Sequence, residues 1–471
     1  MSFYASRRGC LQFEQTLAPF LTEDGLPFAN VLPAEAIERA FAEEGVDFGA
    51  TKNSVFTPAL TLWAFLSQVV HEAKSCHAAV LRVAVLLMAW QRPPCSEDTA
   101  AYCRARAKLP ACVLRRLALE VGRNLERQLP GQWLWHGKHV QLVDGTTLTL
   151  PDTEENQRAY PQPASQQPGL GFPIIRMVVL LSLATAALQD MAFGPYQGKE
   201  TGETALLRQL LADVPAGDVL VADRYYCSYW MVALALASGV DVVFRLHQRR
   251  DYDFRRGQRL GQDDHVVRWH KPQRPEWMDQ ASYAALPEYV TVREVRVQVS
   301  TPGYRVRELV LATTLTDEVL YPAEDLADLY HDRWHVELDI RAIKISLQID
   351  HLRCMTPFMV EKELWVHFLG YNLVRRVSAQ AALQRGRHPR EMSFKGTMDA
   401  VAAAWQPLTV AATAALREQQ GKALLQILGT KPVGNRPDRC EPRQVKRRPK
   451  QYKHLRRPRA QARAKLLHDR R

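Results

Sequence analysis

The hydrophobic and polar positions of the first 130 residues follow a helical period. The stretch "TPALTLWAFLSQVVHEAKSCHAAVLRVAVLLMAW" has helical apolar spacing and opens with Thr57 and Pro58, which suit an N-cap and a first helical turn. After the break "QRPPCSED", two more helices are predicted on either side of Pro110. Basic side chains between residues 104 and 116 give this helix pair a positively charged face. The pair could enter a DNA groove, or the face could be an ordinary solvated surface of packed helices. We predict a helical N-terminal DNA-binding or accessory domain over residues 1–130.

Near residue 139 the period changes to that of strands. The segments "HVQLVDGTTLTLP", "FPIIRMVVLLSLATAAL" and "LQDMAFGP" predict a strand meander. Helical "GETALLRQLLADVPAG" and "SYWMVALALASG" then alternate with strand-like "DVLVADR" and "VDVVFRLH". Antiparallel strands followed by alternating strands and helices predict an α/β domain with a mixed sheet. We predict that this domain covers residues 131–393.

A β-rich insertion is predicted within this domain at about residues 248–310. Its charged, loop-like beginning leads into "YVTVREVRVQV" and "YRVRELVLATTL", which alternate cleanly around "STPG" as a hairpin. Helices are expected afterwards at roughly 322–350, 360–385 and 394–428, with residues 394–430 forming a C-terminal helical region.

The positive charge of the chain is concentrated in its last 41 residues. The formal net charge is +12, and residues 431–471 contribute 16 Lys or Arg against three Asp or Glu, so the remaining 430 residues sum to −1. This basic tail is rich in proline and too poor in apolar residues to fold alone. It is either a solubilising terminus or a phosphate-binding arm, and we favour the arm because its cations repel one another without a polyanion. DNA contacts are predicted for Lys446, Arg447, Arg448 and Lys450.

Composition and motifs exclude several other classes. A hydrophobic content of 46% supports a large core, and the apolar run at residues 77–90 is interrupted by Arg82 and too short to span a membrane. The eight cysteines are scattered without zinc-site spacing, which predicts reduced thiols in a cytoplasmic protein. "GPYQGKET" does not match a phosphate-binding loop, and no G-x-S-x-G elbow is present. A glycosidase carboxylate pair would leave the tail unexplained.

The stretch "YHDRWHVELDIRAIK" at residues 330–344 places five polar residues on one face of a helix. At about 100° per residue, that narrow stripe contains Tyr330, Arg333, Glu337, Arg341 and Lys344. One interpretation is a solvent-exposed ladder of ion pairs, each contributing a few tenths of a kcal/mol. The other is a carboxylate held among cations for chemistry on phosphates. Asp332 and Asp339 point the opposite way and are expected to be solvated or structural.

Two aspartates earlier in the α/β domain favour the chemical interpretation. Asp144 lies inside a predicted strand, followed by Gly145, where a buried carboxylate without a partner would be costly. Asp223 ends an apolar strand at its carboxyl edge, where α/β sheets bind ligands. Metal-assisted phosphodiester chemistry needs several acids converging from different elements. Either aspartate could instead be a cap or an ion-pair partner, and Asp223 could pair with Arg224.

The spacing Tyr330-x2-Arg333-x3-Glu337-x6-Lys344 resembles the Y-x2-R-x3-E-x6-K signature of a group of bacterial insertion-sequence transposases with a DDE triad. The blocks "VDGTT", "GDVLVADRYYCSYW" and "ELWVHFLGYNLVRR" are similar to the flanking blocks of that group, in the same order, and the resemblance covers about residues 50–385. It implies a ribonuclease-H-like catalytic domain, split by the β-rich insertion.

The resemblance also implies roles for individual residues. Asp144, Asp223 and Glu337 would be the catalytic triad and would bind two Mg²⁺ ions, for which Mn²⁺ can substitute. Tyr330, Arg333 and Lys344 would contact DNA phosphates, and Arg341, which shares their stripe, is also predicted to bind DNA. The group cuts both strands through a hairpin, and an aromatic residue of the insertion can support the extruded base. Trp269 and Trp277 are the candidates, although either could equally belong to the core.

The predicted function is therefore a DNA transposase that binds the ends of its insertion sequence, cuts them and joins them to target DNA. Its expected partner is double-stranded DNA, bound by a homodimer in the bacterial cytoplasm at the nucleoid, with no membrane involvement. One alternative is a catalytically inactive relative that binds element ends and inhibits transposition. Another is a nuclease on the same fold that cuts without joining, which an assay of strand transfer would distinguish.

Overall fold

The computed structural model describes residues 34–45, 54–298, 308–410, 413–430, 433 and 454–468. The tail positions proposed to contact DNA, Lys446, Arg447, Arg448 and Lys450, lie outside the described residues. The helices are α1 (Ala34–Glu43), α2 (Pro58–Val70), α3 (Cys76–Ala89), α4 (Ala100–Lys108), α5 (Ala111–Arg127), α6 (Glu154–Ala159), α7 (Glu203–Leu210), α8 (Tyr229–Ala237), α9 (Gln280–Ala285), α10 (Ala323–Asp332), α11 (Trp334–Arg341), α12 (Pro357–Gln384), α13 (Phe394–Val410), α14 (Ala414–Leu428) and α15 (Arg459–His468).

A nine-stranded mixed sheet is the centre of the fold, as the alternation of strands and helices predicts. The strands are β1 (Val140–Thr149), β2 (Ile174–Ser182), β3 (Leu188–Pro195), β4 (Val219–Ala222), β5 (Asp241–Arg245), β6 (Gln258–Gly261), β7 (Asp264–His270), β8 (Tyr289–Gln298) and β9 (Glu308–Thr313). Their spatial order is β3-β2-β1-β4-β5-β9-β8-β7-β6. The pairs β1–β4 and β4–β5 are parallel, and every other neighbouring pair is antiparallel.

The β-rich segment between the second aspartate and Glu337 continues this sheet. Strands β8 and β9 are antiparallel neighbours, as the alternation around "STPG" predicts, although the connecting residues 299–307 lie outside the described part of the chain. Strand β9 also pairs with β5, with Val243 opposite Thr313. The segment is thus joined to the α/β layer by main-chain hydrogen bonds.

The N-terminal helices share one hydrophobic core with one face of the sheet and the 28-residue helix α12. Helix α5 lies so close to strand β3 that a Cβ at Gly122 would be 2.1 Å from the Leu188 carbonyl oxygen. The buried Asn372 side chain fixes this contact, since its amide donates to the carbonyls of Ala118 and Leu188 at 2.8 and 3.0 Å and its oxygen accepts the Leu188 N–H at 2.7 Å. None of the described helices is long and apolar enough to cross a membrane.

The helix predicted at residues 322–350 is divided into three pieces, which the periodicity does not show. Helix α10 ends at Asp332, α11 begins at Trp334, and a π-helix covers Ala342–Ser346. The junction at Arg333 keeps helical dihedral angles but uses tighter bonds, because the Arg333 N–H donates to Tyr330 and the Val336 N–H donates to Arg333. Similarly, the helix predicted at 394–428 is two helices, and α14 starts at the N-cap Thr413.

Candidate active site

Asp144 lies on β1, and Asp223 directly follows the neighbouring parallel strand β4. Leu142 of β1 is level with Val221 of β4, and each aspartate follows its counterpart by two residues. Side chains alternate along a strand, so both aspartates point to the face of Leu142 and Val221, and adjacent strands are about 4.8 Å apart. Asp223 immediately follows β4 at the carboxyl end of that strand, which is where the sequence predicts ligand binding.

Each aspartate uses one carboxylate oxygen on the next backbone amide. Asp144 Oδ1 accepts the N–H of Gly145 at 2.8 Å, and Asp223 Oδ1 accepts the N–H of Arg224 at 2.6 Å. Asp223 thereby caps the 3₁₀ turn Arg224–Tyr226, so the capping alternative holds for this residue at least in part. The Arg224 side chain, the ion-pair partner considered for Asp223, donates through Nη1 to Gln248 Oε1 at 2.9 Å.

Burial of Asp144 has an electrostatic cost. It raises the pKa of this carboxyl group from 3.8 to about 6, although the Gly145 N–H and the charge of Arg333 act in the opposite direction. The negative charges of Glu203 and Glu337 raise the pKa further. Asp144 is therefore a strained carboxylate at neutral pH, and a cation bound beside it would relieve that strain.

Arg333 brings Glu337 to the two aspartates. Its Nη2 donates to Glu337 Oε1 at 3.2 Å, and its guanidinium carbon lies 5.7 Å from the centre of the Tyr330 ring. Burial lowers the pKa of Arg333, but Tyr330, Asp223, Asp144 and Glu337 outweigh it, so the pKa is raised overall. The arginine thus stays charged among the carboxylates. The sequence-predicted set of Tyr330, Arg333 and Glu337 is close to both aspartates, and this part of the stripe is not a simple solvent-exposed ladder.

The donor chemistry of these acids suits a hard divalent cation, since carboxylate oxygens are what Mg²⁺ and Mn²⁺ prefer. Asp144 and Asp223 each have a second oxygen beyond the one that accepts a backbone amide. Within the described residues, however, no three His, Cys, Asp or Glu side chains are close enough together to hold one metal ion. The positive charge of Arg333 interacts electrostatically with all three acids, and its guanidinium contacts Glu337 directly. The residue types therefore fit the predicted cofactor, whereas the separation of the acids is larger than a shared ion requires.

The other stripe residues have different environments. Lys344, in the π-helix, donates to the Thr147 carbonyl at 3.0 Å and pairs with Asp350 at 2.8 Å, so it joins this segment to β1 beyond Asp144. Tyr330 is almost buried, and that burial raises its pKa to about 12. Arg341 is exposed.

Asp332 and Asp339 lie on the helix face opposite to the stripe. Asp339 is buried and pairs with Arg375 at 2.8 Å and with Arg390 at 2.9 Å. Asp332 is half-buried and lies 3.5 Å from the His335 ring nitrogen. This arrangement agrees with the structural role expected for that face.

The two tryptophans considered in the β-rich insertion, Trp269 and Trp277, differ in burial. Trp269 is buried and donates through Nε1 to Glu294 at 2.8 Å, so it belongs to the core. Trp277 is half-buried, with the Arg208 guanidinium 3.8 Å from its ring centre and Trp230 edge-on at 6.2 Å.

A further acid that the sequence motifs do not indicate, Glu203, lies against Gly145, the residue after Asp144. A Cβ at Gly145 would be 2.3 Å from Glu203 Cδ, and the Tyr226 hydroxyl donates to Glu203 Oε2 at 3.3 Å. The only sequence signal is an acid in the first turn of α7, which helix dipoles commonly explain. Its proximity to Asp144 arises from the fold.

Comparison with known proteins gives three findings. A family model described as a transposase DDE domain matches residues 135–373. The chain is 27% identical over 430 residues to the transposase InsG for insertion sequence element IS4 of Escherichia coli (strain K12), an alignment covering 90% of this chain and 92% of that protein. A cryo-EM structure of the piggyBac transposase synaptic complex with hairpin DNA matches 93% of this chain and 90% of its own with a TM-score of 0.41 and 11% identity.

Proposed function

The chain belongs to the transposase DDE domain family, and on that premise we propose that it is the transposase of a bacterial insertion sequence, of the group with the Y-x2-R-x3-E-x6-K signature. It binds the ends of its element in double-stranded DNA, cuts them and joins them to target DNA. The observation that carries this proposal is the level placement of Asp144 and Asp223 on parallel strands, with Glu337 connected to them through Arg333.

Asp144, Asp223 and Glu337 are the proposed catalytic residues of a ribonuclease-H-like domain. Two Mg²⁺ ions, or Mn²⁺ in their place, would be held by these carboxylates, with no single ion bound by all three, and would supply Lewis-acid activation of the attacking oxygen and stabilisation of the leaving oxygen. Asp144 contributes a carboxylate that burial makes unfavourable without a cation. Glu337, with a side chain 40% exposed, contacts Arg333 and remains accessible from solvent.

Tyr330, Arg333, Arg341 and Lys344 are the proposed phosphate-binding residues. A DNA phosphate could accept two hydrogen bonds from the Arg333 guanidinium and would compete with Glu337 for it. Arg341 is exposed and available to a backbone phosphate. Lys344 would have to exchange or share its bond to Asp350. Arg333 is therefore the residue through which DNA binding would change the environment of the acids.

The remaining proposals concern organisation. Residues 1–130 would be the DNA-binding or accessory domain, 131–393 the catalytic domain with its insertion at 248–310, and 394–430 a C-terminal helical region. The tail at 431–471 would bind DNA phosphates. Support for the tail comes from its charge and from α15, whose side chains at Arg459 and Lys465 are exposed. A homodimer in the DNA complex, second-strand cutting through a hairpin, and a cytoplasmic, nucleoid-associated location complete the proposal.

The inactive-relative alternative is less favoured. The three acids are all present, and the alignment covers 92% of the IS4 transposase.

The test is Mg²⁺-dependent cleavage of supercoiled DNA that carries the flanking sequence of the gene's own locus. We expect the wild-type protein to release the element and join it to new DNA, because the three acids can bind the required cations. Asp144→Asn and Glu337→Gln should bind the ends without cutting, while Asp332→Asn, on the opposite face, should cut normally. Binding without cleavage by the wild type would support the inactive relative, and cleavage without joining would indicate a nuclease. Normal cutting by Asp144→Asn would refute the triad.

A further inference from the structure

Glu203 contacts both chain segments that carry the proposed catalytic aspartates. On one side its carboxyl group lies against Gly145, the residue after Asp144. On the other side its Oε2 accepts the hydroxyl of Tyr226, which ends the 3₁₀ turn that Asp223 caps. Tyr226 is 1% exposed, so this hydrogen bond is made by a buried hydroxyl group. The carboxyl group of Glu203 therefore bridges two segments that are distant in sequence.

The helix that begins with Glu203 is fixed against the same two strands. Leu206 and Leu207 of α7 belong to a buried cluster that also contains Val143 of β1 and Ala222 of β4. Each of these strand residues immediately precedes one of the aspartates. Because side chains alternate along a strand, α7 packs on the face opposite to the aspartates. Packing on this face holds the start of α7, and with it Glu203, beside the strand ends.

Gly145 provides the space for this approach. A Cβ at position 145 would lie 2.3 Å from Glu203 Cδ, 2.6 Å from its Oε1 and 2.7 Å from its Cγ, all closer than side chains can come. Gly145 does not have a left-handed backbone conformation, so an alanine would be strained only by this contact. The absence of a side chain at residue 145 is what lets the fourth carboxyl group sit beside Asp144.

We propose that Glu203 is a positioning residue for Asp144 and Asp223, which sets the separation of the two aspartates and increases the affinity of the site for a divalent cation. The inference rests on the proposed function. The contact with Gly145 and the bond from Tyr226 fix the approach of the two segments. The negative charge of Glu203, which already acts on Asp144, would also attract a cation bound at the aspartates.

An ordinary explanation of Glu203 is that an acid in the first turn complements the helix dipole. Glu154 provides the matched control, because it is also the first residue of its helix, is exposed, and forms an ion pair with Arg158 four residues on. A dipole effect alone predicts that Glu154→Gln and Glu203→Gln change the protein in the same way. The positioning role predicts that only the second variant changes cation binding.

Three variants change the charge, the length or the position of the Glu203 side chain. Glu203→Gln removes the charge and keeps the size, whereas Glu203→Asp keeps the charge and shortens the reach. Gly145→Ala leaves Glu203 in the sequence but forces its flexible end away. If Glu203→Gln fails to fold, Gly145→Ala still tests the inference, because the displaced atoms are in a side chain and not in the backbone.

The experiment measures Mn²⁺ binding to the full-length protein without DNA, from the loss of the electron paramagnetic resonance signal of free Mn²⁺. The Mn²⁺ concentration that half-saturates end cutting is then measured with DNA. We expect Glu203→Gln and Gly145→Ala to raise both half-saturating concentrations about tenfold, because the first variant removes the charge of Glu203 and the second displaces its carboxyl group. Glu203→Asp should restore part of the affinity. Raising the Mn²⁺ concentration should restore part of the lost cutting, which a general structural defect would not allow.

Two results would overturn the inference. One is wild-type Mn²⁺ affinity in both Glu203→Gln and Gly145→Ala, and the other is an equal loss in Glu154→Gln. These results are distinguishable from failure of the proposed function. If the wild type binds Mn²⁺ but Asp144→Asn does not, and Glu203→Gln behaves as wild type, Glu203 has no positioning role and the triad stands. If the wild type binds no Mn²⁺ at all, both proposals fail.

Discussion

Asp144→Asn should stabilise the metal-free protein, although the same change should abolish cutting. The carboxyl group of Asp144 has its pKa raised from 3.8 to about 6 by burial, with the Gly145 N–H and Arg333 opposing that shift and Glu203 and Glu337 adding to it. Each pKa unit corresponds to about 1.4 kcal/mol, so the charged form destabilises the folded state by up to about 3 kcal/mol. Asparagine keeps the oxygen that accepts the Gly145 N–H and removes the charge.

The pH dependence follows from the direction of the shift. Because the folded-state pKa is above the unfolded value, the folded protein binds the proton more tightly. Above about pH 6 Asp144 is ionised in both states and the full penalty is present. Below about pH 4 it is protonated in both states and the penalty disappears. The stability advantage of Asp144→Asn should therefore be largest at pH 7.5 and should shrink as the pH falls towards 4.

The assay is urea unfolding in buffer with a chelator at pH 7.5 and at pH 5. Asp339→Asn is the matched control, since Asp339 is also buried but pairs with Arg375 and Arg390 at 2.8 and 2.9 Å. Removing one partner of a buried ion pair costs about 3–5 kcal/mol, so this control should destabilise the protein. If Asp144→Asn is no more stable than wild type at pH 7.5 without metal, the idea of a burial-strained carboxylate is wrong.

Two further predictions concern packing and DNA binding. Gly122→Ala should destabilise the protein by about 3 kcal/mol in the same assay, because its Cβ would lie 2.1 Å from a backbone oxygen. Gly131→Ala, with nothing within 4 Å of its Cβ, should be nearly neutral, and equal stability of the two variants would contradict the close approach. Deleting residues 431–471 should weaken binding to element ends and flatten its dependence on salt, because the segment carries 16 cations. Fluorescence anisotropy at several salt concentrations measures both effects, and an unchanged slope would show that the tail does not bind phosphates.

The sequence by itself determined the elements and the identity of most candidate residues. Alternation around Asp144 and the apolar run before Asp223 place both acids on strands, because the burial pattern of a strand repeats every two residues. Helical spacing separated the face of Glu337 from that of Asp339, which is buried between two arginines. These are local properties, since a side chain's direction depends on the residues directly before and after it.

Only the tertiary structure decided how these elements meet. The register of β1 and β4 makes the aspartates level, and the junction of α10 and α11 brings the charge of Arg333 into interaction with the three acids. The space above Gly145 admits Glu203, an acid that spacing rules do not distinguish from a helix-capping residue. Contacts of this kind join segments more than 50 residues apart along the chain. They depend on strand pairing and on packing volumes, and a one-dimensional pattern of polar and apolar residues specifies neither.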